Sequence, residues 1–143
     1  MSLNLKNLTR FTYLVAAIFC SSCAKPEEER ATVYLVRGRI LFAGQPVADA
    51  KVVFCPRNEN TTGTDKPTGI TDAGGWFKLG TYEAEDGAPL GEYTITVSRV
   101  TTDSGKSDPV HLLPIRYVRP TTSDLRARIR PQPNELGDIK LTK

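Results

Sequence analysis

Side chains that could act as a catalytic base are scarce in this sequence. The single histidine, His111, has serines before and after it along the chain. Nucleophilic catalysis needs a base held beside the nucleophile, and no spacing here pairs His111 with a particular serine. We therefore expect His111 to be an ordinary surface or half-buried side chain.

Acidic side chains are a second group with possible chemistry, because calcium takes oxygen ligands. Six of them fall in segments that we interpret as loops: Asp65, Asp72, Glu83, Glu85, Asp86 and Asp103. Their spacing matches no known calcium loop, so a weak calcium site stays open only as the lesser alternative. Asp72 precedes Ala73-Gly74-Gly75, which is typical of a turn that an aspartate side chain caps.

The only tryptophan, Trp76, is a candidate for stacking on a sugar ring. It alternates with Phe77 in a strand-like run, so the two rings should point to opposite faces, and Tyr82 is close in sequence. An exposed aromatic ring would favour carbohydrate binding. We favour the alternative that Trp76 covers the outer face of a sheet beneath a loop.

A basic stripe is predicted where Arg126, Arg128 and Arg130 alternate with apolar residues, and Lys140 could extend it from a neighbouring strand. The functional interpretation is contact with phosphate-bearing lipid or an anionic glycan. A solvated face, or a charged edge that prevents pairing with other sheets, is the interpretation that we prefer.

The N-terminus has the pattern of an export signal. Residues 1–10 carry Lys6 and Arg10 without an acid, and 11–20 form an apolar run too short for a membrane span. The box Cys20-Ser21-Ser22-Cys23 resembles that of bacterial lipoproteins, with Cys20 where leucine is usual. That resemblance implies a signal peptide over 1–22, a lipid on Cys23, and a charged tether over 23–32.

Removal of residues 1–22 takes away two basic residues and no acid, which leaves 17 basic residues against 16 acidic ones. A nearly neutral domain lacks the positive net charge that is typical of nucleic-acid-binding proteins, so we do not expect it to bind nucleic acid. With Cys20 removed and Cys23 lipidated, Cys55 is the one cysteine left. We therefore predict no intramolecular disulfide and a reduced, poorly reactive Cys55 thiol. One histidine and one thiol also cannot supply a zinc site.

The rest of the chain alternates apolar and polar residues and shows no helical period. Strands are predicted over 33–42, 51–55, 68–70, 76–79, 92–100, 124–130 and 137–142, with 68–79 as a hairpin. One buried face per strand favours two antiparallel sheets packed as a sandwich, with an open barrel as the alternative. The predicted shared core is Val36, Ile40, Phe42, Val52, Phe54, Phe77, Leu79, Tyr93, Ile95, Val97, Leu125, Ile129, Ile139 and Leu141.

Several short motifs resemble the carboxypeptidase regulatory-like domains. They are Gly38-x-Ile40, Gly44-x-Pro46-Val47-x-x-Ala50-x-Val52-x-Phe54, Gly69-x-Thr71-Asp72-x-x-Gly75-x-Phe77-x-Leu79 and Gly91-x-Tyr93-x-Ile95-x-Val97. The tail, with Leu113-Pro114-x-x-Tyr117 and residues 121–125, resembles small bacterial envelope lipoproteins built from this domain. The resemblance implies an all-β, seven-stranded antiparallel Greek-key sandwich of the prealbumin (transthyretin-like) type over 33–143.

The same resemblance implies little chemistry. A hydroxyisourate hydrolase shares the fold, but it uses several histidines and a distinctive C-terminal motif, whereas this chain has His111 alone and ends in 139–143 as Ile-Lys-Leu-Thr-Lys. We expect a non-enzymatic, cofactor-free envelope domain with a structural or adhesive role, held to a membrane through Cys23 and contacting an envelope protein or glycan. A carbohydrate-binding module using Trp76 and nearby tyrosines is the alternative, and an envelope hydrolase is the least supported.

Overall fold

The structure, a computed structural model, describes residues 30–57, 66–101 and 110–143. The predicted signal and most of the predicted tether, including Cys23, lie outside these residues. Strands account for almost all the regular structure, because β-branched and aromatic residues alternate with polar ones between turn-forming glycines and prolines. The described strands are β1 (Val33–Tyr34), β2 (Val36–Phe42), β3 (Gln45–Pro46), β4 (Lys51–Pro56), β5 (Thr68–Ile70), β6 (Trp76–Lys78), β7 (Ala88–Pro89), β8 (Gly91–Ser98), β9 (Val100–Thr101), β10 (Val110–His111), β11 (Arg126–Ile129) and β12 (Asn134–Leu141).

Two sheets face each other. Sheet I has the order β11-β8-β4-β5 and is antiparallel throughout. Sheet II is built on β2, which pairs with β12 on one side and with β3 and β6 on the other. Seven of the described strands have three or more residues, which confirms the all-β sandwich. Four of the five two-residue strands form small separate pairs, β1 with β7 and β9 with β10, and the fifth, β3, belongs to sheet II.

The core lies between the two sheets and confirms the alternation pattern. Eleven of the fourteen predicted core residues are buried, and Phe42, Leu125 and Ile139 pack partly buried against them. Leu113 and Tyr117 join the same cluster from the segment before β11. That segment contains one turn of 3-10 helix at Ile115–Tyr117.

Two pairing predictions are wrong in part. The pair between β2 and β12 is parallel, with Ile139 beside Ile40 and Leu141 beside Phe42. Alternation specifies which face of a strand is buried and says nothing about its direction, so only strands joined by tight turns are antiparallel by necessity.

The segment 68–79 is a hairpin only at its two ends. Thr68 and Gly80 exchange backbone hydrogen bonds of 2.9 Å, and the N–H of Asp72 donates to the carbonyl of Trp76 at 2.8 Å. Between these points β5 pairs with β4 in sheet I while β6 pairs with β2 in sheet II. The segment therefore forms a corner of the sandwich that links the two sheets. Within the described part of the chain no helix is long and apolar enough to cross a membrane.

Candidate functional site

A cleft of about 650 Å³ opens at the corner where β5 and β6 part, and the loop over 81–86 forms its far wall. Gly69 makes the corner possible, because a Cβ at this position would collide with the carbonyl oxygen of Lys78. The apolar part of the lining comes from Trp76 and from Ile70, which is 58% exposed. The cleft thus combines an aromatic ring and an aliphatic side chain with charged groups.

Two guanidinium groups lie against the ring of Trp76. The guanidinium carbon of Arg37 is 4.5 Å from the centroid of the ring, and that of Arg39 is 5.4 Å away. The pairing of β2 with β6 causes this, because it sets Arg39 directly opposite Trp76 and Arg37 one pleat further along the same face. Arg39 is fixed further by its Nε, which donates to the carbonyl of Gly74 at 2.8 Å. Cation–π contacts of this kind hold both side chains in place.

Among the described residues neither Arg37 nor Arg39 has a carboxylate within ion-pair distance. The one described ion pair joins Nζ of Lys78 to Oε2 of Glu85 at 2.8 Å across the cleft, with both side chains more than half exposed. The N–H groups of Arg37 therefore lie beside an aromatic ring in an open cleft, free to donate to oxygen atoms of a ligand.

The acidic loop residues act mainly as turn caps. Asp72 Oδ1 accepts the N–H groups of Gly74 and Trp76, each at 2.9 Å, which confirms the predicted role of Asp72. Asp86 accepts the N–H groups of residues 81, 82 and 83 at 2.6–3.1 Å and shapes the wall of the cleft. Asp65 and Asp103 lie outside the described residues. Within the described ranges, no three His, Cys, Asp or Glu side chains come close enough together to hold a metal ion.

The other predicted candidates lie apart from the cleft. His111 is exposed on β10, away from any described cluster of titratable groups. Arg126, Arg128 and Arg130 are exposed along the edge strand β11 and the turn after it. Lys140 does not extend this stripe, because it lies on β12 in sheet II whereas β11 belongs to sheet I. The consecutive strands 126–129 and 134–141 were expected to be neighbours, but the turn between them crosses from one sheet to the other.

The tyrosines are not gathered around Trp76. Tyr93 is buried in the core, where its hydroxyl donates to the carbonyl of Pro89 at 2.8 Å. Tyr82 stacks under the guanidinium of Arg30, 5.3 Å from the ring centroid, and its hydroxyl accepts the N–H of Ala31 at 3.0 Å. Arg30 and Ala31, the first described residues, therefore contact the sandwich through Tyr82.

A polar cluster that sequence reasoning missed surrounds Tyr117. Arg116 Nη2 donates to the Tyr117 hydroxyl at 2.7 Å, and the backbone N–H of Thr142 donates to the same oxygen at 3.0 Å. Burial alone would raise the pKa of Tyr117, but the hydrogen bonds from Thr142 and Arg116 outweigh it and lower that pKa below its usual value. The cluster ties the end of β12 to the 3-10 turn, and the only signal for it in the sequence was Leu113-Pro114-x-x-Tyr117.

Cys55 is buried and is a free thiol, as predicted. It follows Phe54 on β4 and contacts the pairing strand β8 opposite Thr94. A thiol with so little access to solvent is a packing residue.

Comparisons with known proteins identify no family for this chain. No family model matches the chain, and no curated protein matches it. Similar solved structures include a 9R-lipoxygenase from Cyanothece (22% identity, TM-score 0.43, 77% of this chain and 16% of that one). A proposed carbohydrate-binding protein from Pseudomonas aeruginosa is 14% identical (TM-score 0.42, 82% and 92%), and a DUF3823 family protein from Parabacteroides merdae is 12% identical (TM-score 0.39, 79% and 46%). At these identities the function has to be argued from the residues of this chain, which is a small all-β sandwich.

Proposed function

We propose that this chain is a non-catalytic β-sandwich of the cell envelope, lipid-anchored at Cys23, and that it acts by binding through the Trp76 cleft. The observation that carries the proposal is the stacking of Arg37 and Arg39 against Trp76, where Arg37 and Trp76 line an open cleft. Such a site offers an apolar surface and hydrogen-bond donors, but it has no base placed beside a nucleophile. Binding is the activity that these groups can perform.

Carbohydrate is the ligand class that this lining favours. A sugar presents many oxygen acceptors, for which Arg37 and Lys78 are donors, and apolar ring faces, for which Trp76 and Ile70 are partners. The lining carries both signs of charge, because Glu85 pairs with Lys78 and Asp72 caps its own turn. This balance favours a neutral or weakly acidic glycan over a polyanion.

We also propose membership of the carboxypeptidase regulatory-like domains, on the roles that the motif glycines play. Gly75 has φ of +78°, in the region that favours glycine, and a Cβ there would lie 2.6 Å from the carbonyl oxygen of Ile40. A Cβ at Gly38 would lie 2.7 Å from the ring of Phe77. Glycine at these two positions lets the backbone come close to the Ile40 carbonyl and to the Phe77 ring. The motif glycines therefore have a role in the fold, as expected of a scaffold whose motif carries no catalytic residues.

The cleft is tested by titrating the protein with a library of oligosaccharides while recording fluorescence. Trp76 is the only tryptophan, so any saturable change reports on this cleft directly. We expect Arg37→Met to weaken binding by about tenfold or more, because a hydrogen bond to a charged group contributes about 1.5–3 kcal/mol. Arg119→Met is the matched control, since Arg119 is exposed and outside the cleft.

Thermal unfolding separates binding from stability in both variants. We expect Arg37→Met to keep the unfolding midpoint of the parent within a few degrees, because an exposed arginine contributes little to folding. A library that leaves the fluorescence unchanged, or equal affinity in Arg37→Met and Arg119→Met, would contradict the assignment of this cleft.

The anchor is tested separately by mass spectrometry of the N-terminal peptide from the native protein. We expect a diacylglycerol thioether on Cys23, absent in Cys23→Ser and retained in the control Cys20→Ser. Two acyl chains anchor stably, because each buried methylene contributes about 0.8 kcal/mol. An unmodified thiol at Cys23 on an exported protein in the soluble fraction would refute the anchor and the location.

A further inference from the structure

A second cleft, of about 520 Å³, lies at one end of the sandwich. Its lining includes Leu90 from the loop before β8, Arg128 from β11, and Arg130 and Pro131 from the turn that follows β11. We call the surface formed by these four residues and by Leu35 the tether end. The second cleft shares no lining residue with the Trp76 cleft, and the tether end meets the Trp76 cleft only at Leu35, which lines a groove together with Arg37 and Lys78.

The described chain begins at this same end. The pairing of β1 with β7 sets Val33 opposite Pro89, so residues 30–32 run past Leu90. The stack of Arg30 on Tyr82 and the hydrogen bond from Ala31 to the Tyr82 hydroxyl hold this entry in place. Six residues separate Cys23 from Arg30, and seven extended steps span at most about 24 Å. A lipid on Cys23 therefore keeps this end close to the membrane.

The apolar part of the tether end consists of two exposed leucines. Leu35 is 59% exposed and Leu90 is 47% exposed, and they flank the turn over 130–134. The backbone N–H of Asn134 donates to the carbonyl of Leu35 at 2.8 Å, which joins this turn to the start of β2. Leucines held at the rim of a rigid end are suited to the boundary between headgroups and acyl chains.

Asn134 makes the turn rigid. Its Oδ1 accepts the N–H of Arg130 at 3.0 Å, and its Nδ2 donates to the carbonyls of Arg130 and Gln132 at 3.2 and 2.6 Å. Asn134 is itself buried. Hydrogen bonds from the Asn134 side chain therefore hold the backbone of Arg130 and Gln132 in place, and the Arg130 side chain extends from this fixed backbone.

The charge of the described residues at this end is basic. Arg57 and Arg128 lie on either side of Glu92. The backbone N–H of Arg57 donates to the Glu92 carbonyl at 2.9 Å, and Arg128 is the residue of β11 that pairs with Glu92 on β8. No described carboxylate lies within ion-pair distance of Arg128 or Arg130. Residues 58–65 lie outside the described ranges and carry two acids, so we base the surface on the side formed by β11 and Leu90.

We propose that the tether end rests on the membrane that holds the lipid anchor, with Leu35 and Leu90 at the acyl boundary and Arg128 and Arg130 on lipid phosphates. This inference rests on the proposed anchor at Cys23. It adds an orientation, because the sandwich then stands with 130–134 towards the bilayer and the opposite end, with Lys51 and Arg119, towards the solvent. Arginine fits this role because its guanidinium binds phosphate through two donors.

The native full chain is tested on two kinds of vesicle, phosphatidylcholine alone and phosphatidylcholine mixed with phosphatidylglycerol. Flotation with the neutral vesicles tests the anchor, and backbone hydrogen exchange of residues 88–92 and 128–134 tests the tether end. We expect flotation on both vesicles and slower exchange in these two segments on the anionic ones. The variant R128E/R130E should lose that protection and still float. The control K51E/R119E, with the same change of charge at the opposite end, should keep it.

Each negative result has its own meaning. Flotation without any difference in exchange between the two vesicles, or protection that R128E/R130E retains, overturns the membrane-resting surface and leaves the anchor standing. Slower exchange of these two segments with a soluble anionic glycan, but not with vesicles, overturns the membrane-resting surface and assigns it to another partner. A chain that fails to float with neutral vesicles refutes the anchor. In that case flotation with anionic vesicles alone tests whether the tether end binds a membrane. R128E/R130E should then bind these vesicles about tenfold or more weakly than K51E/R119E.

Discussion

Replacement of Phe54 by alanine should remove a large part of the stability of this domain. The side chain is fully buried on β4, and its ring lies 5.7 Å from that of Tyr93 and 6.4 Å from that of Phe77, both tilted. Loss of a buried phenylalanine costs about 3–5 kcal/mol, and each tilted aromatic pair adds about 0.5–1.5 kcal/mol beyond area. Because Phe54 has two such partners, from both sheets, we expect about 4–5 kcal/mol, against a total stability of about 5–15 kcal/mol.

Urea unfolding measures this loss, with Trp76 fluorescence and far-ultraviolet circular dichroism as two probes. Trp76 lies on the outer face of sheet II, so removal of Phe54 leaves its surroundings in the folded state unchanged. Phe54→Leu keeps most of the volume and should lose about 1–2 kcal/mol. Ile70→Ala is the exposed control and should stay within about 0.5 kcal/mol of the parent. A loss below about 1 kcal/mol in Phe54→Ala would show that the two sheets do not share this core.

Three further outcomes follow from other positions. Gly87→Ala should destabilise the domain by about 2 kcal/mol or more in urea unfolding, because Gly87 has φ of +108° and a Cβ there would collide with the Tyr34 carbonyl. Cys55 should react with a thiol reagent only at the rate of unfolding, and fast labelling of the native protein or a covalent dimer would contradict its burial. Burial, with a smaller contribution from Tyr82, raises the pKa of Tyr93 from 10.0 to about 12, so the folded state holds that proton more tightly. Stability should therefore be full below pH 10 and fall between pH 10 and about 12, a loss that Tyr93→Phe should abolish.

Alternation of apolar and polar residues was enough to predict the core but not the pairing. Val52 and Phe54 were predicted to face inward because they are apolar residues two positions apart on one strand, and that information is local. Which strand lies beside which depends on contacts between distant residues. For this reason the turn after Asp72 was predicted correctly, whereas the separation of β5 and β6 into different sheets was not. Gly69 marks that separation, but a glycine in a strand has several possible causes.

The candidate site was predicted only as single residues. Trp76 was predicted to cover the outer face of a sheet beneath a loop, but nothing in the sequence connected it with its partners Arg37 and Arg39. The contact of Trp76 with these arginines depends on the register between β2 and β6. Along the chain these two strands are separated by β4 and β5 of sheet I, so no local sequence pattern predicts that register. The basic stripe over 126–130 was identified as well. Its position beside Leu90 and the entry of the chain required the pairings of β8 and β1.

The parallel pair of β2 with β12 has a consequence for the order of events in folding. It brings together residues about a hundred positions apart, Val36 with Asn134 and Phe42 with Leu141. Sheet II is therefore incomplete until nearly the whole chain has emerged from the ribosome, since β2 has no partner on that side before β12 is made. Pairings of such high contact order form slowly, in milliseconds to seconds. A chain with this topology cannot complete sheet II during most of its synthesis, which suits the export proposed above, because a translocation channel passes unfolded chains.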